Sequence, residues 1–203
     1  MSASTPIPAP LPEQHAAEVH MLFAGYAGGK GVASTVVYVR DGATQIIVDP
    51  GMVPQRAAIL SPLAQLGVTP EAITDVIFSH HHPDHTLNAA LFPNARFHDV
   101  WAIYQGDQWT SRPAEGFAVS PSVRLIETPG HTPQDITTLI GAPDGIVACT
   151  HLWWMASGPD EDPRATDMTA LRHNRARVLA IPGLHLIIPG HGEPFAPSPT
   201  TPR

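Results

Sequence analysis

The chain has 203 residues, a length typical of one domain with a sizeable hydrophobic core. Its 18 acidic and 11 basic residues give a formal net charge of −7. This charge disfavours nucleic acid and anionic lipid as partners, because both are negatively charged themselves. No apolar run reaches the roughly 18 residues that a membrane span needs, and the first residues lack the pattern of a secretory signal. We therefore expect a small-molecule substrate, with no nucleic acid and no membrane as partner.

The cysteine content indicates the cellular compartment, and the proline content indicates where the tails of the chain lie. Cys149 is the single cysteine, which excludes an internal disulfide and favours the reducing cytoplasm. Four of the 23 prolines fall in residues 1–12 and four in 194–203. Proline-rich ends without periodicity are typical of extended tails. We expect a tail over residues 1–18, a single domain over 19–195 and a second tail over 196–203.

The first half of the chain predicts a hairpin and a helix. Residues 34–40 and 45–49 are apolar, β-branched runs on either side of an Asp-Gly turn, which is typical of a β-hairpin. Apolar residues at helical spacing predict a helix over 54–67, which Pro62 interrupts or kinks. The glycine-rich residues 25–31 lack the Ser or Thr of a phosphate-binding loop, and we expect a flexible loop there.

From residue 75 onward, short apolar runs alternate with helical patterns. This alternation predicts a layered α/β protein with sheets inside and helices outside. The predicted strands are 75–79, 95–98, 123–128, 136–140, 146–150 and 184–188, and the predicted helices are 85–91, 100–105 and the amphipathic 167–181.

Seven metal-ligand candidates follow the predicted strands. Catalytic groups gather at strand ends because the scaffold there is rigid, and imidazole and carboxylate both bind zinc. In an extended loop, His80 and His82 project to the same side and can meet one ion, whereas Asp84 and His85 can meet a second. The candidates are His80, His82, Asp84 and His85 after 75–79, His131 after 123–128, His151 after 146–150 and His191 after 184–188.

Other residues near this pattern favour ordinary roles. Cys149 precedes His151 by two residues and is expected to be a small buried hydrophobe rather than a part of the site. Trp153 and Trp154 lie near the site by chain connectivity, facing either substrate or core. His81 is expected to point away between two ligands, and structural or surface roles are expected for His15, His20, His98, His173 and His185.

The segment FSHHHPDHT at residues 78–86 matches the H-x-H-x-D-H signature of the metallo-β-lactamase fold superfamily. The VDPG at 48–51, the TPGHT at 128–132 and the PGHG at 189–192 resemble that superfamily in the same order, over about residues 20–195. The resemblance implies a four-layer αββα sandwich. It also implies one metal on His80, His82 and His131, and another on Asp84, His85 and His191. Asp49 would support the metal loop from behind, a plain turn residue being the alternative.

One position departs from the superfamily pattern. Where members of the superfamily usually carry Gly-Asp, with the carboxylate bridging two metals, this chain has Thr150 and His151. A neutral imidazole offers one lone pair for one ion, so His151 either binds a single metal or swings aside. We expect zinc, one or two ions per chain, with iron or manganese as alternatives.

The expected function is that of a metal-dependent hydrolase. A zinc-bound water or hydroxide would attack an ester, lactone or thioester of a small molecule, and Asp84 would be the catalytic residue that orients the water and moves a proton. No Gly-x-Ser-x-Gly nucleophile motif is present. The alternatives are a phosphodiesterase or nuclease of the same fold, a mononuclear iron enzyme resembling the sulfur dioxygenases, which His151 disfavours, and a binding module with a vestigial site.

Overall fold

The computed structural model describes residues 16–29 and 31–203, and most of its strands form two β-sheets. Of the tail predicted over residues 1–18, residues 1–15 lie outside the described residues. His15 is one of them. The described strands are β1 (Glu18–Phe23), β2 (Tyr26–Gly28), β3 (Gly31–Ala33), β4 (Val36–Asp41), β5 (Thr44–Val48), β6 (Asp75–Ile77), β7 (Arg96–His98), β8 (Ala102–Gln105), β9 (Gln108–Ser111), β10 (Ala118–Ser120), β11 (Val123–Glu127), β12 (Ile136–Ala142), β13 (Gly145–Thr150) and β14 (Leu184–Pro189).

The helices are short and lie between these strands. They are α1 (Ala57–Gln65), α2 (Pro83–Thr86) and α3 (Met168–Leu179), with 3₁₀ turns at Pro70–Ala72 and Ala89–Leu91. Within residues 16–29 and 31–203, no helix has both the length and the apolar character needed to cross a membrane.

Sheet topology brings several strand ends to one edge. The larger sheet has the order β1-β4-β5-β6-β7-β8-β9, the smaller one β10-β11-β12-β13-β14, and β2 pairs with β3. In the larger sheet β5 and β6 are parallel. In the smaller sheet β13 and β14 are parallel, and β11 runs in the same direction because it and β13 are both antiparallel to β12. Residues that follow β11, β13 and β14 therefore meet at one edge of the smaller sheet.

Three apolar clusters produce the layers. Alternate residues of the two sheets, such as Val37 and Ile46 opposite Leu125 and Ile140, pack against each other and exclude water between the sheets. Helix α1 buries Ile59 and Leu63 on the outer face of the larger sheet. Helix α3 packs on the outer face of the smaller sheet, with Leu171 and Val178 buried. The predicted αββα sandwich is confirmed.

Some local predictions are wrong. The helix expected over 100–105 is the strand β8, which pairs with β7 on one side and with β9 on the other. A hairpin turn containing Gly106 at φ 59° directs the chain back, so strand pairing overrides the short helical pattern. The helix expected over 85–91 is divided between α2 and the 3₁₀ turn Ala89–Leu91. Strands β1, β9 and β10 have no counterpart among the predictions.

The flexible loop predicted at residues 25–31 is also wrong. Its residues form most of a small hairpin in which β2 pairs with β3, from Tyr26 opposite Ala33 to Gly28 opposite Gly31. Gly29 lies in the left-handed region at φ 59°, which glycine adopts without steric cost.

The proline-rich residues 196–203 lack a helix or strand, yet they contact the domain. Thr201 is buried, and Pro202 accepts a 2.8 Å hydrogen bond from the indole of Trp153. The last residues therefore cover one wall of the α3 layer instead of extending away from it.

Candidate metal centre

The seven predicted ligands converge on one site. Their potential ligand atoms form overlapping groups whose members lie within 4.8 Å of one another: His80 with His82 and His131, Asp84 with His85 and His191, and His80 with His85 and His151. The first two groups are the sets that the resemblance implied for the two metals.

Asp49 holds the H-x-H-x-D-H loop in place. Its carboxylate accepts hydrogen bonds from the backbone N–H of Ser79 at 2.7 Å, from the Ser79 hydroxyl at 2.7 Å and from His85 Nδ1 at 2.8 Å. Its own backbone has φ 52°, an unusual conformation for a residue with a side chain, and one that Asp tolerates better than most. A plain turn residue would not need these three contacts, so the supporting role is the one observed.

Ring nitrogens face each other across the site at short range. His82 Nδ1 lies 2.9 Å from His80 Nε2 and 3.1 Å from His131 Nε2. On the other side, Asp84 Oδ2 lies 3.4 Å from His85 Nε2 and 3.6 Å from His191 Nε2. These two groups of atoms have the composition of two adjacent cation sites.

In three of the imidazoles, Nδ1 forms a hydrogen bond away from the site. His85 Nδ1 donates to Asp49, His131 Nδ1 donates to Asp162 at 2.7 Å, and His191 Nδ1 donates to the Ala33 carbonyl at 2.8 Å. In its neutral form, each ring therefore presents the lone pair of Nε2 to the site, which is the form that binds a metal. Lone pairs directed at one another repel, and a cation between them removes that repulsion. The donor set fits zinc or another divalent transition metal.

His151 occupies the middle of the cluster. Its Nε2 lies 3.1 Å from His191 Nε2, and its ring centroid is 4.2 Å from that of His131 and 4.6 Å from that of His80. Its Nδ1 is buried and has no hydrogen-bond partner among the described residues. Gly190 makes this packing feasible, since a Cβ there would lie 2.3 Å from the His151 ring. The side chain faces the site and does not swing aside.

The charges of the site suit a cation. Burial, with neighbouring imidazoles adding to it, lowers the pKa values of His80 and His151 well below the usual value, so both rings are neutral at pH 7. Burial would raise the pKa of Asp84, but its contacts with His85 and His191 lower it to about 2. Asp84 is therefore ionised. Burial would lower the pKa of His85, but its contacts with Asp49 and Asp84 raise it to about 9, so in the absence of a metal this ring carries the positive charge between two carboxylates.

Five members of the cluster line an open cavity of about 730 Å³, namely His82, Asp84, His131, His151 and His191. Its lining includes residues of the β2–β3 hairpin, such as Ala27 and Val32, and residues of the segment after β13, such as Trp154 and Arg164. Arg164 is the one lysine or arginine of the described residues that lines the cavity, and its guanidinium forms no ion pair with them. Among the residues that the structure describes, those around the ligands offer a substrate an apolar surface and one cation, Arg164.

The remaining candidates fall outside the ligand cluster, as predicted. Cys149 packs in the core between the sheets, and His81 turns outward to Asp99 at 3.0 Å. The sequence left open whether the two tryptophans face the substrate or the core, and the two differ. Trp153 is fully buried in the core, whereas Trp154 lines the cavity. Of the other histidines, His98 is buried against Asp75, and His20, His173 and His185 lie away from the site.

Sequence reasoning missed Asp162. This carboxylate lies in the long connection between β13 and α3, eleven residues after His151, and binds His131. The sequence contains no local signal for it, because Asp162 lies among other acidic residues of a proline-rich loop and meets His131 only in the folded chain.

Two sheets between helices, with a cluster of His and Asp at the strand ends, define a metal-binding enzyme fold. A family model described as the metallo-beta-lactamase superfamily matches residues 29–151. The chain belongs to this superfamily, whose members are mostly metal-dependent hydrolases.

Curated relatives agree with this assignment. The chain is 30% identical to metallo-beta-lactamase domain-containing protein 1 of Xenopus laevis, over 92% of this chain and 86% of the frog protein. It is 33% identical to the human protein of that name, over 74% of this chain and 59% of the human one. The match thus spans less than two thirds of the human relative.

Solved structures share the fold. A Thermotoga maritima protein solved as a candidate metallo-beta-lactamase aligns with a TM-score of 0.67 at 22% identity, covering 90% of this chain and all of the other. A protein solved in a di-iron-bound form aligns with a TM-score of 0.64 at 18% identity, covering 86% and 94%. At these identities the likeness establishes the fold alone.

Proposed function

We propose that the protein is a zinc-dependent hydrolase that cleaves an ester, lactone or thioester of a small molecule. One observation carries this proposal: six imidazoles and the Asp84 carboxylate converge, and Asp84 with four of those imidazoles lines a cavity that is open to solvent. A structural metal site would be closed, whereas a catalytic one leaves room for water and substrate. His80, His82 and His131 would hold one ion, and Asp84, His85 and His191 the other, with His151 beside both.

Asp84 has the position of the catalytic carboxylate. Zinc, when bound, lowers the pKa of a water molecule and polarises a carbonyl oxygen. The Asp84 carboxylate lines the cavity and is ionised at neutral pH, so it can accept a hydrogen bond from water and pass a proton to the leaving group. His85 restricts its orientation from below, at 3.4 Å.

The cavity favours a small substrate over a polymer. Its volume of about 730 Å³ lies within the range of small-molecule sites. The acidic chain offers one described cation to it, Arg164, which is too little to track a nucleic acid backbone but enough to bind one anionic group. We propose a substrate with an apolar part against the β2–β3 hairpin, a cytoplasmic location in keeping with the single buried Cys149, and no nucleic acid or membrane partner.

The proposal is tested with the Asp84→Asn variant. The zinc-supplemented protein is assayed with 4-nitrophenyl butyrate, the anionic mono(4-nitrophenyl) glutarate, a γ-thiolactone and bis(4-nitrophenyl) phosphate. We expect ester or thioester turnover that chelation abolishes, with the anionic ester preferred, and a loss of kcat of about 10²- to 10⁴-fold in Asp84→Asn. Metal analysis should find one to two zinc ions per chain.

The matched control is Asp107→Asn, because Asp107 is an exposed aspartate on the β8–β9 turn, away from the cavity. Its kcat should equal that of the wild type. Activity that survives complete metal removal, or turnover confined to the phosphodiester, would contradict the proposed function. Activity with iron but not with zinc would support the iron alternative instead.

A further inference from the structure

A buried carboxylate outside the ligand set is built into the rear of the site. Asp162 is 4% exposed, and its Oδ2 accepts hydrogen bonds from His131 Nδ1 at 2.7 Å and from the Trp154 indole at 2.9 Å. Its Oδ1 accepts from the backbone N–H of Arg164 at 2.8 Å. All three donors point at one carboxylate, whose pKa stays below the usual value because these hydrogen bonds and His131 outweigh the cost of burial.

The loop that carries Asp162 is held rigidly. Arg175 of α3 is fully buried, and its guanidinium donates to the carbonyls of Leu152 at 2.7 Å, Asp160 at 2.7 Å and Pro159 at 3.0 Å. These contacts fix both ends of the segment that brings Asp162 to His131. The position of the carboxylate is thus determined by the α3 layer and does not depend on a mobile surface loop.

We propose that Asp162 is a positioning residue of the metal centre, which orients His131 and supplies negative charge through it. With Nδ1 committed to Asp162, His131 presents Nε2 to the cluster, 3.1 Å from His82. The inference rests on metal binding, the part of the proposed function that precedes hydrolysis, and does not depend on which bond is cleaved.

Charge is the reason that a carboxylate is needed there. The seven predicted ligands are six imidazoles and one carboxylate, Asp84, so two dications would be poorly neutralised by these ligands themselves. Asp162 lies within 4.8 Å of His131 and His151, but its Oδ2 is occupied by the His131 and Trp154 donors. Asp49 adds a negative charge behind His85, and Asp162 adds one behind His131, so that each proposed metal has a carboxylate–histidine pair. Asp162 acts through His131 because the oxygen nearest the site is already occupied by that ring and by Trp154.

The test separates charge from geometry with Asp162→Asn, which keeps the shape and one acceptor oxygen but removes the charge. Zinc binding to the metal-free full-length chain is measured by competitive chelator titration. We expect one site to weaken by about 10- to 100-fold, the range seen when such supporting groups are removed. The melting temperature of the metal-free Asp162→Asn protein should change far less than that of Arg175→Met, which loses the guanidinium that holds the loop.

Glu161→Gln is the matched control, since Glu161 is the neighbouring residue, is exposed and loses the same charge. Its zinc affinity should stay within twofold of the wild type. Equal zinc affinity in Asp162→Asn and Glu161→Gln would overturn the inference, even if both proteins hydrolyse esters. Weakened zinc binding without any hydrolysis would leave the inference intact and contradict the proposed function.

A second measurement needs no variant. In the metal-free wild type, long-range ¹H–¹⁵N spectra should show His131 protonated at Nδ1, with a proton that exchanges slowly because it is buried against Asp162. An Nε2-protonated ring, or a rapidly exchanging Nδ1 proton, would overturn the inference whether or not Asp162→Asn folds.

Discussion

At the scale of single residues, His151 distinguishes this site from a pair of metals bridged by a carboxylate. Its ring lies among His80, His131 and His191, and its Nδ1 has no hydrogen-bond partner within residues 16–29 and 31–203. An imidazole brings no negative charge, so repulsion between two dications is less well offset than it would be by a bridging Asp. We therefore infer that the second zinc binds more weakly than the first.

The His151→Asp variant tests this inference. Replacing the ring by a carboxylate restores a negative charge between the two proposed ions, and we expect the second zinc to bind at least about tenfold more tightly. Isothermal titration of the metal-free protein with zinc measures both affinities, and His173→Asp on the exposed face of α3 controls for the added charge. Two equally tight sites in the wild type, unchanged by His151→Asp, would show that position 151 does not control the number of ions.

At the scale of elements, helix α3 and the loop before it act as one unit. Arg175 lies on the buried stripe of α3 with Leu171 and Val178, yet it is charged. Its guanidinium donates to the carbonyl of the buried Leu152 and to those of Pro159 and Asp160 nearer the surface, and it lies 5.9 Å from the centre of the Trp153 ring. A buried charge is retained here because it binds the loop that carries Asp162.

Arg175→Met should lower the free energy of unfolding by about 3 kcal/mol, because it removes three hydrogen bonds to a charged donor and leaves the buried Leu152 carbonyl unpaired. Urea denaturation of the metal-free protein measures this loss. Arg172→Met is the control: it lies three residues earlier on α3, is exposed and pairs with Glu161. We expect a change below about 0.5 kcal/mol there. If the two variants were equally stable, the loop would not depend on Arg175.

At the scale of the whole molecule, the buried side chain of His98 makes the stability of the fold depend on pH. His98 is buried where β7 meets Phe117, and its Nε2 lies 2.8 Å from Asp75. Burial lowers the pKa of His98, with Arg112 and Arg96 adding to the effect and Asp75 opposing it. In the folded protein His98 is therefore neutral, whereas in the unfolded chain it takes up a proton near pH 6.5.

Because of this difference in protonation, the folded protein becomes less stable as the pH falls. The unfolded state binds more protons below pH 6.5, so the contribution of His98 to stability is complete above that pH and is lost as the pH falls, by up to about 1.4 kcal/mol per pH unit. Urea unfolding of the metal-free protein between pH 7.5 and 5.5 should show a smaller loss in His98→Gln than in the wild type. His185→Gln, an exposed position on β14, should behave like the wild type. Parallel pH profiles for all three proteins would contradict the assignment.

Much of the site could be predicted from the sequence because its ligands follow strands and stand at short, fixed spacings. An extended loop places His80 and His82 on one side whatever surrounds it. The layered fold followed likewise from alternating apolar patterns, and the strands within 34–49, 123–150 and 184–188 lie where those patterns predict them. These features depend on neighbours in the chain, and a sequence reports such neighbours directly.

Other features depended on the folded chain. The segment over 100–105 became β8 because β7 and β9 supplied its hydrogen-bond partners, and the glycine-rich residues after Gly25 became a cavity wall because β2 could pair with β3. The sequence by itself determined the candidate metal ligands and the layered fold. Only the tertiary structure decided that Asp162 supports His131, that Trp154 rather than Trp153 faces the cavity, and that His151 points inward. These relations join segments that are distant in sequence, and packing alone brings them within hydrogen-bonding distance.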